Sequence, residues 1–78
     1  MIATVIKDLN SIDKVKNFVS LNLNFDGDVT VYSGVYVVDG KSILGVFSLN
    51  LCNSVNVCID GSEGDIQTLL DKYEEKGI

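Results

Sequence analysis

The residues of this sequence that could do chemistry lie in a few short runs, two of which imitate ligand-binding loops. Gly40–Ser42 has the glycine, lysine and serine that end a nucleotide-binding loop, but that motif requires glycine at the position of Val35. Asp26–Asp28 supplies two carboxylates, but a calcium loop needs ligands out to its twelfth position. Neither run therefore predicts a nucleotide or metal site.

The cysteines and the absence of histidine narrow the possible chemistry further. The chain has two cysteines, Cys52 and Cys58, and no histidine. Two thiols are too few soft ligands for a metal site, and we interpret them as reduced, partly buried apolar residues instead of a redox pair. Without histidine there is no Ser/His or Cys/His nucleophilic pair and no usual proton shuttle at neutral pH. The sequence predicts a protein that is not an enzyme and needs no cofactor.

Ser42 is the residue with the best-defined local role. It follows the turn at Asp39–Gly40 and is placed to cap a helix about two turns long, where its hydroxyl accepts a bond from a free amide. The helix that follows has more apolar residues than one stripe of so short a helix can bury. Some of them should face solvent, which predicts a partner-binding surface formed by Ser42, Ile43, Leu44 and Phe47.

Composition limits the class of partner. The 78 residues form one predicted domain, residues 1–78, and carry a formal net charge of −5 with only 6 lysines and arginines. Nucleic acids and anionic membranes bind basic patches, so neither is predicted as a partner. No apolar run approaches the roughly 20 residues of a membrane span, and the N-terminus lacks the pattern of a signal peptide. We therefore expect a cytoplasmic protein.

Hydrophobic periodicity predicts three helices and four strands. Strands are expected at Ile2–Ile6, Val29–Tyr32, Tyr36–Val38 and residues 55–60, with a turn around Gly34 that places Val29, Val31, Tyr36 and Val38 on one face and Thr30, Tyr32, Val35 and Val37 on the other. The loop of that turn is Ser33-Gly34 or Gly34-Val35. A helix capped by Ser11, with Asp13 in its first turn, should bury Ile12, Val15, Phe18, Val19 and Leu23. The last helix, beginning in residues 61–65, should bury Ile66, Leu69, Leu70 and Tyr73.

The order of these elements predicts the fold class. Strand, helix, strand, strand, short helix, strand and helix follow one another, with hairpin connections between strands. Such an order favours an α+β fold in which the helices pack on one face of a four-stranded antiparallel sheet.

The run from Lys41 to Leu49 resembles the regulatory-serine segment of HPr, the phosphocarrier of the bacterial sugar phosphotransferase system. That family carries Lys-Ser-Ile-Met-Gly-Val-Met-Ser-Leu, which this chain matches at Lys41, Ser42, Ile43, Gly45, Val46, Ser48 and Leu49. Leu44 and Phe47 replace the methionines. The resemblance implies an HPr-like open-faced β-sandwich, and it makes Ser42 a candidate for phosphorylation by an HPr-kinase-like enzyme; the alternative is a capping serine without a regulatory role.

The phosphocarrier motif of that family is replaced in this chain. Gly-x-His-Ala-Arg-Pro should open the first helix, but Ser11 stands at the phosphohistidine and Asp13 at the arginine. A phosphoserine is a stable ester that does not pass its phosphate on, and Asp13 repels an incoming phosphate. The resemblance therefore implies a non-enzymatic binding or regulatory module whose partners are proteins of the phosphotransferase system.

Two alternatives remain open. One is a catabolite-control regulator switched by phosphorylation of Ser42, as in a relative of HPr that also lacks the active histidine. The other is an orphan HPr-like domain with an unrelated binding role. The resemblance also implies that the starts of the first and second helices are neighbours, which would bring Asp13 close to Ser42.

Overall fold

The computed structural model describes all residues from Met1 to Ile78. In chain order its elements are β1 (Ile2–Lys7), α1 (Ile12–Leu23), β2 (Asp28–Ser33), β3 (Tyr36–Asp39), α2 (Ile43–Phe47), β4 (Val55–Asp60) and α3 (Glu63–Glu75). Every predicted strand is present, and the order of strands and helices is the predicted one. No helix combines the length and the apolar character that crossing a membrane requires.

The four strands form one antiparallel sheet in the order β1-β4-β2-β3. On the helix side of the sheet, one valine from each strand pairs directly with a valine of the neighbouring strand. The row that results is Val5, Val57, Val31 and Val38. The neighbouring row, Ile6, Asn56, Tyr32 and Val37, lies on the other face and is exposed. β-Branched side chains pack well on one pleated face against helices. The α+β open-faced sandwich is confirmed.

The structure of the β2–β3 turn decides between the two possible loops that the sequence left open. Ser33 pairs directly with Tyr36, so the loop is Gly34-Val35, with Gly34 at a φ of 60°. A positive φ costs glycine little, because glycine has no Cβ. The predicted faces are confirmed for the paired residues, but Val35 lies in the loop, 90% exposed, and belongs to neither face.

The predicted buried stripe of α1 is partly wrong. The buried residues are Val15, Phe18, Val19 and Asn22, whereas Ile12 and Leu23 are exposed. Positions 15, 18, 19 and 22 follow the helical repeat, and the last of them is polar. Selecting apolar residues shifted the predicted stripe onto one flank of the helix. The stripe of α3 is correct at Ile66, Leu69 and Tyr73, with Leu70 half-buried.

Several residues outside the predicted stripes are also part of the core. Leu9, Phe25 and Leu49 lie in connections between elements and are buried together with the helix and strand valines. The cysteines are both free; Cys58 is half-buried as predicted, but Cys52 is exposed, since it lies in the loop between α2 and β4.

Candidate functional site

The candidate site is built around the start of α2, where Ser42 is the N-cap. Its backbone is extended, with φ −103° and ψ 110°, and its hydroxyl oxygen accepts a bond from the Gly45 N–H at 3.1 Å. The side chain is half-buried. Ser48 ends the helix after 5 residues, which is shorter than the two turns predicted. The predicted capping role of Ser42 is confirmed, and that of Ser11 in α1 is confirmed by its bond from the Lys14 N–H at 3.1 Å.

The loop that leads into Ser42 is held by bonds from three directions. The Gly40 N–H donates to the Val29 carbonyl at 2.7 Å, and the Gly40 carbonyl accepts from the Asn22 side-chain amide at 2.8 Å. The Lys41 Nζ donates to the Phe25 carbonyl at 2.8 Å, at the end of α1. A Cβ on Gly40 would lie 2.5 Å from the Val29 Cγ1, so the close approach of the loop to β2 depends on glycine. The start of α2 is thus fixed by three hydrogen bonds, which join its approach loop to α1, to β2 and to the residue Phe25 that follows α1.

A buried polar chain continues from this loop to α3. The Tyr73 hydroxyl donates to the Asn22 Oδ1, whose amide in turn donates to Gly40. Both side chains are fully buried, and the Tyr73 ring packs against Phe18 with centroids 5.3 Å apart. Burial raises the pKa of Tyr73 well above its ordinary value of 10.0, and the bond to Asn22 offsets part of that effect. Hydrogen bonds therefore connect the candidate site to the last turns of α3.

The side chains of α2 divide between the core and solvent, as predicted. Val46 is fully buried, whereas Leu44 is 80% exposed. Ile43 and Phe47 are 38% and 40% exposed. The helix carries no charged residue. We call the exposed side chains Ile43, Leu44 and Phe47 the α2 surface; an apolar patch of this kind on a small protein indicates an interaction site.

The α2 surface continues onto the start of α1. One open groove between the two helices is lined by Leu9, Asn10, Ser11, Ile12, Phe47, Leu51 and Cys52. The structure thus brings the Ser11 position together with Phe47 of the α2 surface and adds the exposed Ile12 to it. Sequence analysis placed Ile12 in the core, and its position on the flank of α1 is what makes it part of the groove.

The packing of α1 and α2 disfavours the expectation that Asp13 lies close to Ser42. The groove joins the start of α1 to the end of α2, at Phe47. The end of α1 joins the start of α2, since Asn22 bonds to Gly40. The two helices therefore run in opposite directions, and Asp13 lies about 13.5 Å along the axis of α1 from Asn22 at 1.5 Å per residue.

This separation predicts that positions 13 and 42 act independently on stability. Ser42→Asp keeps a capping oxygen and should change the free energy of unfolding by less than about 1 kcal/mol. Asp13→Arg in that background should add its own effect with a coupling below about 0.5 kcal/mol at low salt, because distant sites are additive. A double-mutant cycle followed by urea unfolding measures the coupling.

Asp39 supplies the matched control for that cycle. Its carboxylate accepts a bond from the Lys41 N–H at 2.9 Å, and its carbonyl accepts from the Ser42 N–H at 3.0 Å. Asp39→Asn should therefore couple measurably to Ser42→Asp by removing a nearby like charge, and added salt should reduce that coupling. Equal coupling of positions 13 and 39 to position 42 contradicts the arrangement of α1 and α2 described above.

Comparison with solved structures identifies proteins that share this fold. No protein-family model matches the sequence, and no curated protein matches it. Among solved structures, the phosphocarrier protein HPr from Bacillus anthracis str. Ames aligns with a TM-score of 0.70 and 20% identity, over 91% of this chain and 95% of that chain. HPr-C-His from Thermoanaerobacter tengcongensis aligns with a TM-score of 0.69 and 26% identity, over 97% of this chain and 93% of that chain. This chain therefore has an HPr-like fold, the open-faced β-sandwich that the Lys41–Leu49 run implied.

Proposed function

We propose that this chain is a non-enzymatic binding or regulatory module related to the bacterial sugar phosphotransferase system. It would act in the cytoplasm and dock protein partners through Ser42 and the α2 surface. The observation that carries the proposal is the exposure of Leu44 and its apolar neighbours in an HPr-like fold. Burial of such side chains against a partner is favourable at roughly 25 cal/mol per Å² of apolar surface, which offsets part of the cost of association.

The absence of histidine bears on whether the chain can carry phosphate. A histidine nitrogen forms a phosphoramidate that passes its phosphate on readily, whereas the Ser11 hydroxyl forms only a stable ester. Ser11 already accepts the Lys14 N–H as a helix cap, and the exposed Asp13 beside it disfavours an incoming phosphate. We infer that the chain does not take phosphate from phosphoenolpyruvate through the enzyme that phosphorylates HPr. Incubation with that enzyme and phosphoenolpyruvate, followed by mass spectrometry, tests this; an acid-labile phosphoprotein contradicts it.

Leu44→Ala is expected to weaken partner binding while leaving stability almost unchanged. Because Leu44 is mostly exposed, its truncation should alter the free energy of unfolding by no more than about 0.5 kcal/mol. If it is a central contact, the dissociation constant for the phosphotransferase enzyme that recognises HPr should rise about tenfold, or about 1.4 kcal/mol. Calorimetric titration and urea unfolding of the same variants measure both quantities.

Two variants control that measurement. Val46→Ala truncates the buried residue of the same helix and should cost about 2 kcal/mol of stability. Ile6→Ala truncates an equally exposed residue on the opposite face of the sheet and should leave binding intact. No binding of the wild-type chain would favour the orphan HPr-like domain. If Leu44→Ala and Ile6→Ala weaken binding equally, the α2 surface is not the docking site.

The alternative is a catabolite-control regulator that an HPr-kinase-like enzyme phosphorylates at Ser42. The hydroxyl of Ser42 lies beside the free amides at the start of α2, and a phosphate there could accept their hydrogen bonds. The test is incubation with such a kinase and ATP, followed by mass spectrometry of the wild type and of Ser42→Ala. Modification that is absent from Ser42→Ala supports the alternative. Modification that persists in that variant assigns it to another residue.

A further inference from the structure

Two long segments of the chain contain no charged residue. Charged residues make up 22% of the chain, but none occurs within residues 29–38 or 42–59. These segments include the β2–β3 turn and the loop that joins α2 to β4, and the two border the same cleft. Exposed loops are usually covered by charged side chains, and regions depleted of charge with exposed aromatic residues are typical of binding surfaces.

The cleft is lined by neutral groups that form hydrogen bonds. Its polar side chains are Ser33, Tyr36, Ser48, Asn50, Asn53 and Ser54. The Ser48 hydroxyl donates to the Gly45 carbonyl at 2.6 Å, and the Ser54 hydroxyl donates to Asp8 at 2.7 Å, so these two are held in place. Asn50 uses only its Oδ1, which accepts the Cys52 N–H at 3.2 Å.

The other polar groups of the cleft are available to a ligand. No hydrogen bond within the protein uses the Tyr36 hydroxyl, the Asn53 amide or the Nδ2 of Asn50. Tyr36 is also 68% exposed, and its ring offers a flat apolar surface beside these groups. The cleft thus combines side-chain amides, a hydroxyl and one exposed aromatic ring, and all of its lining residues are uncharged.

We infer that this cleft is a binding site for a neutral saccharide. Sugar hydroxyls donate and accept hydrogen bonds at once, as the amides of Asn50 and Asn53 require for full pairing. The C–H face of a sugar ring packs against an aromatic ring, which Tyr36 supplies. An anionic ligand would find no cationic side chain in the lining and a negative charge at Asp8, which bonds to Ser54; an apolar ligand would leave the amide groups without partners. This site is separate from the docking function proposed for α2, which requires no sugar.

Titration with maltotriose, observed through the backbone amide resonances of the ¹⁵N-labelled protein, tests the assignment. The expected result is saturable shift changes confined to residues 33–36 and 48–54. Tyr36→Ala and Asn53→Ala should each weaken binding about tenfold; neither residue is buried, so the fold should persist. Glucose 6-phosphate should not bind at the cleft.

Two further variants separate this proposal from the docking function. Tyr32→Ala removes an exposed tyrosine from the outer face of the sheet and should leave maltotriose binding unchanged, as should Leu44→Ala. Maltotriose, cellotriose and chitotriose are each tested at about 20 mM, a concentration at which a site with a millimolar dissociation constant is saturated. If none of the three produces saturable shift changes, the assignment is overturned. It is also overturned by maltotriose binding that is unaffected by both Tyr36→Ala and Asn53→Ala.

Discussion

Asn22→Ala should lower the free energy of unfolding by about 3–5 kcal/mol, more than any other single polar truncation in α1. Asn22 is fully buried and bonds to both the Tyr73 hydroxyl and the Gly40 carbonyl. Its removal leaves each of these buried groups without a partner, at a cost of about 1–3 kcal/mol apiece, and a small cavity adds to the loss. Urea unfolding measures the change, and Ser20→Ala, at an exposed position of the same helix, should stay within about 0.5 kcal/mol of wild type.

A double-mutant cycle attributes the loss to the bond between the two side chains. Tyr73→Phe alone leaves the Asn22 Oδ1 without a donor, and Asn22→Leu alone leaves the Tyr73 hydroxyl without an acceptor. The two changes together remove both groups, so the double variant should be more stable than the sum predicts by about 1–3 kcal/mol. Strict additivity contradicts the hydrogen bond, since unconnected groups do not couple.

Stability should fall above pH 10 because burial raises the pKa of Tyr73 in the folded protein. Its folded pKa is raised by burial above the unfolded value of 10.0. Between these two pKa values the unfolded chain has lost the phenolic proton and the folded chain has kept it. Its contribution to stability is therefore complete below pH 10 and decreases as the pH rises, by up to about 1.4 kcal/mol per pH unit.

Ultraviolet difference absorbance between the wild type and Tyr73→Phe follows the ionisation of Tyr73. Because the Tyr73 side chain is fully buried, its phenolate absorbance should appear only as the chain unfolds. Tyr73→Phe loses its hydrogen bond to Asn22 at every pH, but its stability should decline less between pH 10 and 12 than that of the wild type. Equal declines of the two proteins would mean that Tyr73 does not contribute to alkaline unfolding.

The sequence predicted the elements well and the contents of the core less well. Alternation of Val55, Val57 and Ile59, and the capping serines, are local signals, and the structure confirms them. The role of Asn22 was missed because hydrophobicity was used to find the buried stripe. Its spacing of four from Phe18 was the available signal, but nothing local indicates that Tyr73, far along the chain, supplies its partner.

The candidate site was predicted in part. The exposure of Leu44 followed from an apolar excess that a short helix cannot bury, and the structure confirms it. The closeness of Asp13 to Ser42 came from the resemblance alone and stays a prediction, since periodicity within each helix carries no information on the direction in which two helices cross. The contribution of Ile12 to the groove depends on the same crossing and could not be obtained from the sequence.

The way α2 is held bears on how its specificity could be redesigned. The approach to the helix is fixed by main-chain atoms of Gly40 and by the Ser42 cap, and within the helix only Val46 has a fully buried side chain. The identity of residue 44, which is 80% exposed, is thus almost uncoupled from folding, whereas Ile43 and Phe47 each bury more than half of their surface. Position 44 could therefore be varied freely in a library selected for new partners, and positions 43 and 47 only among residues that keep their buried contacts.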